Sequence, residues 1–259
     1  MAANLLLFFD ICKFMCNYQL FSIKYIYQSF SRIYLHISKK ITTFALANIS
    51  KIMKVLLVNG SPRKNGNTFT ALSEIAKTLQ AEGIESEIVW IGNKPVRGCI
   101  ACGTCKAKGD GKCVFDDDVC NSISTKFTES DGFVFASPVY YGQPNGALLA
   151  IMQRAFFSNG ANLQNKPGAA VTICRRGGAT AAFEALQMPM QMMNMPLATS
   201  QYWNIAYGRE EGQAAQDTEG MQTMRTLAHN LAWMIRGLRG EKAPELPERE
   251  PWQPMHFIR

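Results

Sequence analysis

The stretch "KVLLVNGSPRKNGNTFTALSEIAKTLQAEG" spans residues 54–83 and sets the pattern of the fold. Its first seven residues, 54–60, form a short apolar run that ends in glycine, which predicts a buried strand. A polar, turn-rich loop follows. Residues 69–83 then carry apolar side chains at helical spacing and end at Gly83, a helix stop signal. A strand that leads through a short loop into a helix is the first half of a strand–helix–strand unit.

The same alternation continues along the chain. Further strands are predicted at 84–92, 132–142, 168–174 and 196–208, and helices at 116–130, 146–157, 179–193 and 219–240. Five alternations of strand and helix predict an α/β fold with a parallel sheet wound on both faces. Ligands bind beyond the carboxyl ends of the strands in such sheets, so we expect the chemistry in the loops that follow strands one, three and four.

The charge of the chain does not favour a nucleic-acid partner. The net charge is +7, but residues 1–52 hold six of the 27 Lys and Arg residues and one of the 20 Asp and Glu residues. The remaining 21 basic and 19 acidic residues nearly cancel, whereas phosphate-backbone binding needs a dense basic face.

No stretch reaches the ~18 apolar residues of a membrane span. We interpret 1–52 as a leader or a mis-called N-terminal extension outside the fold, 53–242 as the domain, and 243–259 as a Pro-rich tail.

The loop after the first strand, "NGSPRKNGNT" (59–68), opens directly into a helix. A helix N-terminus presents unpaired N–H groups and a partial positive charge, which suit a phosphate. The loop lacks the G-x-x-x-x-G-K-[ST] pattern of nucleoside triphosphate sites and the G-x-G-x-x-G pattern of dinucleotide sites. It therefore indicates either a single phosphate group or an ordinary polar turn that caps the helix.

Two later loops carry complementary chemistry. The loop "SPVYYGQPNG" (137–146) contains rigid prolines and a pair of tyrosines. This composition indicates either a binding site for a planar ring or a turn that only covers the end of the sheet. "CRRGGAT" (174–180) sets two arginines against two glycines. Positive charge at a helix N-terminus opposes the helix dipole, which favours a bound anion there over a solvated turn.

From Met53 to about residue 242 the chain resembles the flavodoxin-like family of NAD(P)H-dependent FMN reductases, through these three loops in this order. The resemblance implies a flavodoxin-like, doubly wound, five-stranded parallel sheet in the order 2-1-3-4-5, with FMN as cofactor. It implies these cofactor-binding residues: Ser61, Arg63, Asn65, Asn67, Thr68, Pro138, Val139, Tyr140, Tyr141, Gly142, Arg175, Arg176, Gly177 and Gly178. Tyr202 and Trp203 fall in the predicted fifth strand, where they either pack against the core or line the substrate side of the flavin.

A cysteine-rich loop, residues 97–115, follows the second strand. Its spacing is C-x2-C-x2-C-x7-C, formed by Cys99, Cys102, Cys105 and Cys113. Three cysteines at three-residue steps are typical of ferredoxin-type clusters, whereas zinc modules usually pair two separate C-x2-C units. The longer last gap and the missing proline depart from ferredoxins, but the spacing is similar to that of the iron–sulfur flavoprotein subgroup. The motif favours a [4Fe–4S] cluster and leaves zinc or free thiols as alternatives.

The predicted function is that of an FMN-dependent NAD(P)H oxidoreductase, which passes electrons to the cluster, a quinone or another small acceptor. No catalytic side chain is predicted, because the cofactor carries the chemistry. The alternatives are a non-enzymatic flavin and iron–sulfur electron carrier, and a thiol-based redox or metal sensor. We expect a cytoplasmic homo-oligomer, a dimer or tetramer, whose partner is a small-molecule acceptor or a redox protein.

Overall fold

The computed structural model describes residues 52–239. The predicted leader, apart from its last residue, and the predicted tail at 243–259 lie outside this range. Between these limits the chain has the predicted α/β architecture.

The sheet is built from five parallel strands and one short antiparallel strand. The strands are β1 (Lys54–Asn59), β2 (Glu85–Trp90), β3 (Gly132–Tyr140), β4 (Gln143–Pro144), β5 (Gly168–Cys174) and β6 (Ile205–Tyr207). The parallel strands lie in the order β2-β1-β3-β5-β6, which is the predicted order, and the two-residue β4 pairs with the end of β3. The sheet therefore contains one strand more than predicted.

Within residues 52–239, six α-helices connect and flank these strands. They are α1 (Asn67–Ala81), α2 (Thr104–Lys108), α3 (Cys120–Lys126), α4 (Gly146–Asn159), α5 (Ala179–Met192) and α6 (Thr218–Arg239). No helix of residues 52–239 is long and apolar enough to cross a membrane.

Both faces of the sheet are buried. Val55 and Leu57 point into a core formed with α1 and α6, whereas Leu56 and Val58 point into a second core formed with α3, α4 and α5. Because both faces are covered, the strands have continuous apolar runs instead of alternating polarity. The same cover leaves the loops at the carboxyl ends of the strands as the place for a site.

The prediction for the fifth strand was largely wrong. Only residues 205–207 pair with β5 as a strand, while Tyr202 and Trp203 lie in an irregular segment and are 61% and 51% exposed. The cause is local hydrogen bonding. Ser200 Oγ donates to the carbonyl oxygen of Tyr202 at 2.6 Å, and buried Asn204 uses its Nδ2 to bind the carbonyl oxygen of Ala170 at 3.1 Å. These side-chain bonds hold the segment between Leu197, which pairs with Gly168 as an isolated bridge, and the start of β6.

The helix predicted at 116–130 begins only at Cys120. The three aspartates that precede it fix the cysteine loop instead of extending the helix. Asp118 Oδ1 accepts the N–H of Cys120 at 2.9 Å, and Asp116 Oδ1 accepts a bond from Asn121 Nδ2 at 3.1 Å. The acidic run is thus part of a loop framework.

Candidate functional site

The loop between β1 and α1 is shaped by the buried side chain of Asn59. Its Oδ1 accepts the N–H of Ser61 at 3.1 Å, and its Nδ2 donates to the carbonyl oxygen of Lys64 at 3.1 Å. Gly60 runs so close to α4 that a Cβ atom there would lie 2.6 Å from Leu148 Cδ2. The turn is therefore preformed by side chains of the fold.

The N-terminus of α1 offers free donors to this loop. The first intrahelical bond runs from the N–H of Thr70 to the carbonyl oxygen of Gly66, at 3.1 Å. The N–H groups of residues 67–69 therefore have no helical partner. No side chain caps this end and its first turn contains no acid, so its partial positive charge is not offset there. Ser61 and Thr68 lie buried beside it, and Arg63 is exposed.

The side chain of Asn67 has a structural partner. Its Nδ2 donates to the carbonyl oxygen of Glu210 at 2.9 Å, and its Oδ1 accepts the N–H of Ala214 at 3.0 Å. This pairing fixes the segment that follows β6 against the start of α1. The backbone N–H of Asn67 and the second N–H of its side-chain amide remain available to a ligand, whereas the amide oxygen and one amide N–H are already engaged.

The loops that follow β3 and β5 touch through two glycines. Gly178 has a φ of +84°, and a Cβ atom there would lie only 2.8 Å from the Cα of Gly142. The loop after β3 is also tied to the loop after β1, because Asn145 Nδ2 donates to the carbonyl oxygen of Gly60 at 2.7 Å. The three predicted loops therefore form one framework.

This framework encloses a cleft of about 200 Å³ at the carboxyl ends of the strands. From the predicted set, the cleft is lined by Ser61, Arg63, Asn67, Thr68, Pro138, Val139, Tyr140 and Arg175. Of the other predicted residues, Gly142 and Gly178 hold the two loops together, whereas Asn65, Tyr141, Arg176 and Gly177 are exposed and outside the lining. A larger groove of about 840 Å³ lies between the start of β2 and the end of α1. It is at the wrong end of the strands for a ligand site in this fold.

Five lining residues were not predicted. They are Gly66, Ile173, Cys174, Gly208 and Arg209. Arg209 follows β6 just as Arg175 follows β5, so the rule that placed the other loops at this edge also predicts this one. Burial raises the pKa of the Cys174 thiol, which therefore lines the cleft as a neutral group.

The cysteine loop forms a second site. All four predicted cysteines line one small cavity, together with Ile100, Gly103, Val114, Phe115, Arg154 and Phe157. Cys99 and Cys102 are exposed, Cys113 is half-buried and Cys105 is buried. The short helix α2 lies between Gly103 and Gly109, whose φ values of +71° and +67° turn the chain at each end. The loop thus curls its thiols around a common space.

Asn121 anchors Cys113, the last cysteine of this loop. Its Oδ1 accepts the N–H of Cys113 at 2.8 Å, and its Nδ2 donates to the Cys113 carbonyl oxygen at 3.0 Å. Arg154 approaches from α4 and donates from Nε to the sulfur of Cys113 at 3.3 Å. Neither residue belongs to the cysteine motif, and both act across sequence distances that no local pattern reveals.

Within residues 52–239, no group of three His, Cys, Asp or Glu side chains is placed to hold one metal ion. A thiol outside the set, Cys120, is buried, and burial raises its pKa to about 12, as suits a neutral core residue.

The parallel sheet and the cleft at the carboxyl ends of its strands, together with the family match that follows, define the class as a flavin-dependent α/β oxidoreductase. Residues 53–210 match the family model of the NADPH-dependent FMN reductases, and the chain belongs to this family. An iron–sulfur flavoprotein of Methanocaldococcus jannaschii is 32% identical over 192 residues, which are 71% of this chain and 98% of that protein. An iron–sulfur flavoprotein of Methanosarcina thermophila is 32% identical over 185 residues, 69% of this chain and 93% of the relative.

Solved structures share the fold at low sequence identity. RosB with bound 8-demethyl-8-formylriboflavin-5'-phosphate superposes with a TM-score of 0.58 at 17% identity, over 74% of this chain and 82% of that one. A flavone reductase gives a TM-score of 0.55 at 13% identity, over 74% and 66% of the two chains. The α/β fold and the family resemblance stated from the sequence are both confirmed.

Proposed function

We propose that this protein holds FMN in the cleft, takes hydride from NAD(P)H and delivers electrons to an iron–sulfur cluster, a quinone or another small acceptor. The observation that carries the proposal is the convergence of three loops on one cleft at the carboxyl ends of the strands. The family match at 53–210 supports FMN as the cofactor.

The cleft residues suit the two halves of FMN. The N–H groups at the start of α1, with Ser61, Thr68 and Arg63, offer charge-assisted bonds to the phosphate. Pro138, Val139 and Tyr140 form the wall that a flat ring would contact. Arg175 lies across the same cleft and supplies positive charge to a ring that gains electrons.

FMN when bound accepts two electrons as a hydride and releases them one at a time, which connects NAD(P)H to a one-electron acceptor. The chain's own residues bind the phosphate, orient the ring and set the charge around it. No acid or base in the cleft is assigned a proton-transfer role.

The phosphate contacts are tested by comparing FMN with riboflavin. The parent chain should bind FMN far more tightly, since riboflavin lacks the group that the α1 N-terminus and Arg63 contact. Arg63→Ala combined with Thr68→Ala should remove most of that preference. Arg209→Ala is the control, because it removes a cleft arginine outside the phosphate loop and should leave the preference in place. Equal affinity of the parent chain for both flavins would contradict the assignment.

The cysteine loop is proposed to hold a [4Fe–4S] cluster through Cys99, Cys102, Cys105 and Cys113. Support comes from four thiols around one cavity and from relatives named iron–sulfur flavoproteins. Protein prepared without oxygen should carry close to four iron atoms per chain. Cys113→Ser should lower iron sharply and leave FMN in place, whereas Cys120→Ser, the matched buried cysteine, should leave iron unchanged. One zinc and no iron would overturn the cluster and preserve the flavin site.

The choice between NADH and NADPH, the acceptor, the homo-oligomer and the cytoplasmic location remain predictions. The electron-carrier alternative differs in one measurable respect, because a carrier does not oxidise NAD(P)H. Steady-state NAD(P)H oxidation with ferricyanide or a quinone as acceptor separates the two.

A further inference from the structure

The side chain of Arg154 is the most unusual group outside the flavin cleft. It lies in the middle of α4, is 1% exposed and is among the largest fully buried side chains of the described residues. Its neighbours along the helix, Ile151 and Ala155, belong to the apolar core. Removing an unpaired charge from water costs several kcal/mol, so a buried guanidinium requires compensation from dedicated partners.

Its four hydrogen bonds all go to the cysteine loop and the residues just after it. Arg154 Nε donates to Cys113 Sγ at 3.3 Å. One terminal nitrogen, Nη1, donates to the carboxylate of Asp118 and to the carbonyl oxygen of Arg97 at 3.3 Å. The other, Nη2, donates to the carbonyl oxygen of Phe115 at 2.9 Å. These bonds use four of the five N–H donors of the guanidinium.

The contact set spans both ends of the loop. Arg97 precedes the first cysteine and Asp118 follows the last, so a single side chain from the core closes the loop at its base. The guanidinium also lies 5.6 Å from the centre of the Phe115 ring. A planar fork with fixed donor directions makes such a set of contacts, which a lysine ammonium cannot reproduce.

The charge of Arg154 persists at this buried position. An arginine guanidinium is not deprotonated in proteins. Asp118 is buried as well, so the two opposite charges compensate each other next to one cysteine sulfur. Among the four cysteines, Cys113 is the one whose sulfur receives this charged donor.

We propose that Arg154 is the positioning residue of the cysteine loop, which it shapes before a cluster is bound, and that its charge and its bond to Cys113 raise the reduction potential of that cluster. The second half rests on the proposed cluster. Hydrogen bonds to ligand sulfurs and the net charge nearby are the factors through which a protein tunes iron–sulfur potentials. A positive donor stabilises the reduced, more negative cluster, so its loss should lower the potential.

The first arm of the test measures the loop in the full chain without iron. Backbone amide hydrogen exchange over residues 97–118 is compared between the parent, Arg154→Gln and Arg154→Lys. Arg154→Gln should exchange at least tenfold faster in this loop, and exchange in β1 and β3 should remain unchanged. Arg97→Gln is the control, since it removes an exposed guanidinium from the same loop and leaves the Arg97 carbonyl acceptor in place. Unchanged loop exchange in Arg154→Gln would overturn the positioning role.

The second arm measures the midpoint potential of the cluster after anaerobic reconstitution. Arg154→Gln should shift it downward, Arg154→Lys should restore part of the shift, and Asp118→Asn should move it upward, because it removes the opposing negative charge. If Arg154→Gln cannot hold iron, Arg154→Lys and Asp118→Asn still report the sign. A role limited to folding does not give shifts of opposite sign, so a common sign or no shift would overturn the charge role. Absence of iron in the parent itself would contradict the proposed cluster and leave the exchange result standing.

Discussion

Gly178→Ala should weaken FMN binding through a clash between two loops. Gly178 has a φ of +84°, where a residue with a side chain costs about 1–2 kcal/mol. The new Cβ would also lie 2.8 Å from the Cα of Gly142 and 3.4 Å from Val139 Cγ1. Carbon atoms prefer about 3.5–4.0 Å, so the two loops must separate by roughly 0.7 Å or more.

The expected size of the effect follows from these two contributions. The loop after β5 can escape the clash only by moving away from Gly142, which lies two residues after Tyr140 at the end of β3, beside the wall at 138–140 that is proposed to contact the ring. Restoring the cleft when FMN binds should therefore cost at least about 1.4 kcal/mol, which is a tenfold rise in the dissociation constant. Fluorescence titration of FMN with flavin-free protein gives this constant directly.

Two further glycine-to-alanine substitutions separate the effect of backbone strain from the effect of the clash between the two loops. Gly177→Ala changes the adjacent residue, where nothing lies within 4 Å, and should leave FMN affinity within about twofold of the parent. Gly83 has a φ of +70°, has no atom within 4 Å of a built Cβ and lies at the far end of α1. Gly83→Ala should therefore lower the free energy of unfolding by about 1 kcal/mol without changing FMN affinity. Parent-like FMN binding by Gly178→Ala, or an equal loss in Gly83→Ala, would refute the reasoning.

Two other predictions concern the ends of the chain and its charges. A chain that begins at Met53 should fold and bind FMN like the full chain, because β1 begins at Lys54; loss of cooperative thermal unfolding on truncation would assign a structural role to 1–52. Glu87 is held by Lys126 at 2.7 Å and Lys54 at 2.9 Å, and these bonds lower its pKa below 4.5. The contribution of Glu87 to the free energy of unfolding is therefore complete above that pH, and it is lost as the pH falls through the lowered pKa. Glu87→Gln should lower the free energy of unfolding by less than ~1 kcal/mol at pH 7 and by progressively less in acid. Urea unfolding at several pH values measures this difference.

The sequence predicts the sheet and the three loops of the cleft well because both depend on local patterns. The apolar run at 168–174 corresponds residue for residue to β5, and the helical spacing at 219–240 to α6 within one residue at each end. The order of the strands and the edge that carries the loops then follow from general rules for parallel sheets.

The failures occur where partners lie far apart in the chain. The sequence predicts Asn67 as a phosphate donor but gives no sign that its amide also pairs with the backbone of Glu210 and Ala214. The aspartates before Cys120 have the charge expected at a helix start, yet Asp118 is paired with Arg154, 36 residues away. Arg154 itself lies in a helical pattern where an arginine is ordinarily solvent-exposed. Only the folded chain shows that it faces four cysteines.

The decisive measurement is the anaerobic reduction of the FMN-loaded full chain by NADPH and NADH, followed by flavin absorbance in a stopped-flow instrument. Bleaching of the bound flavin by at least one nucleotide, at a rate no slower than steady-state turnover, is the predicted result. A flavin that stays oxidised with both nucleotides, and is bleached only by dithionite or a reduced protein partner, would contradict the assignment as an NAD(P)H oxidoreductase and favour an electron carrier.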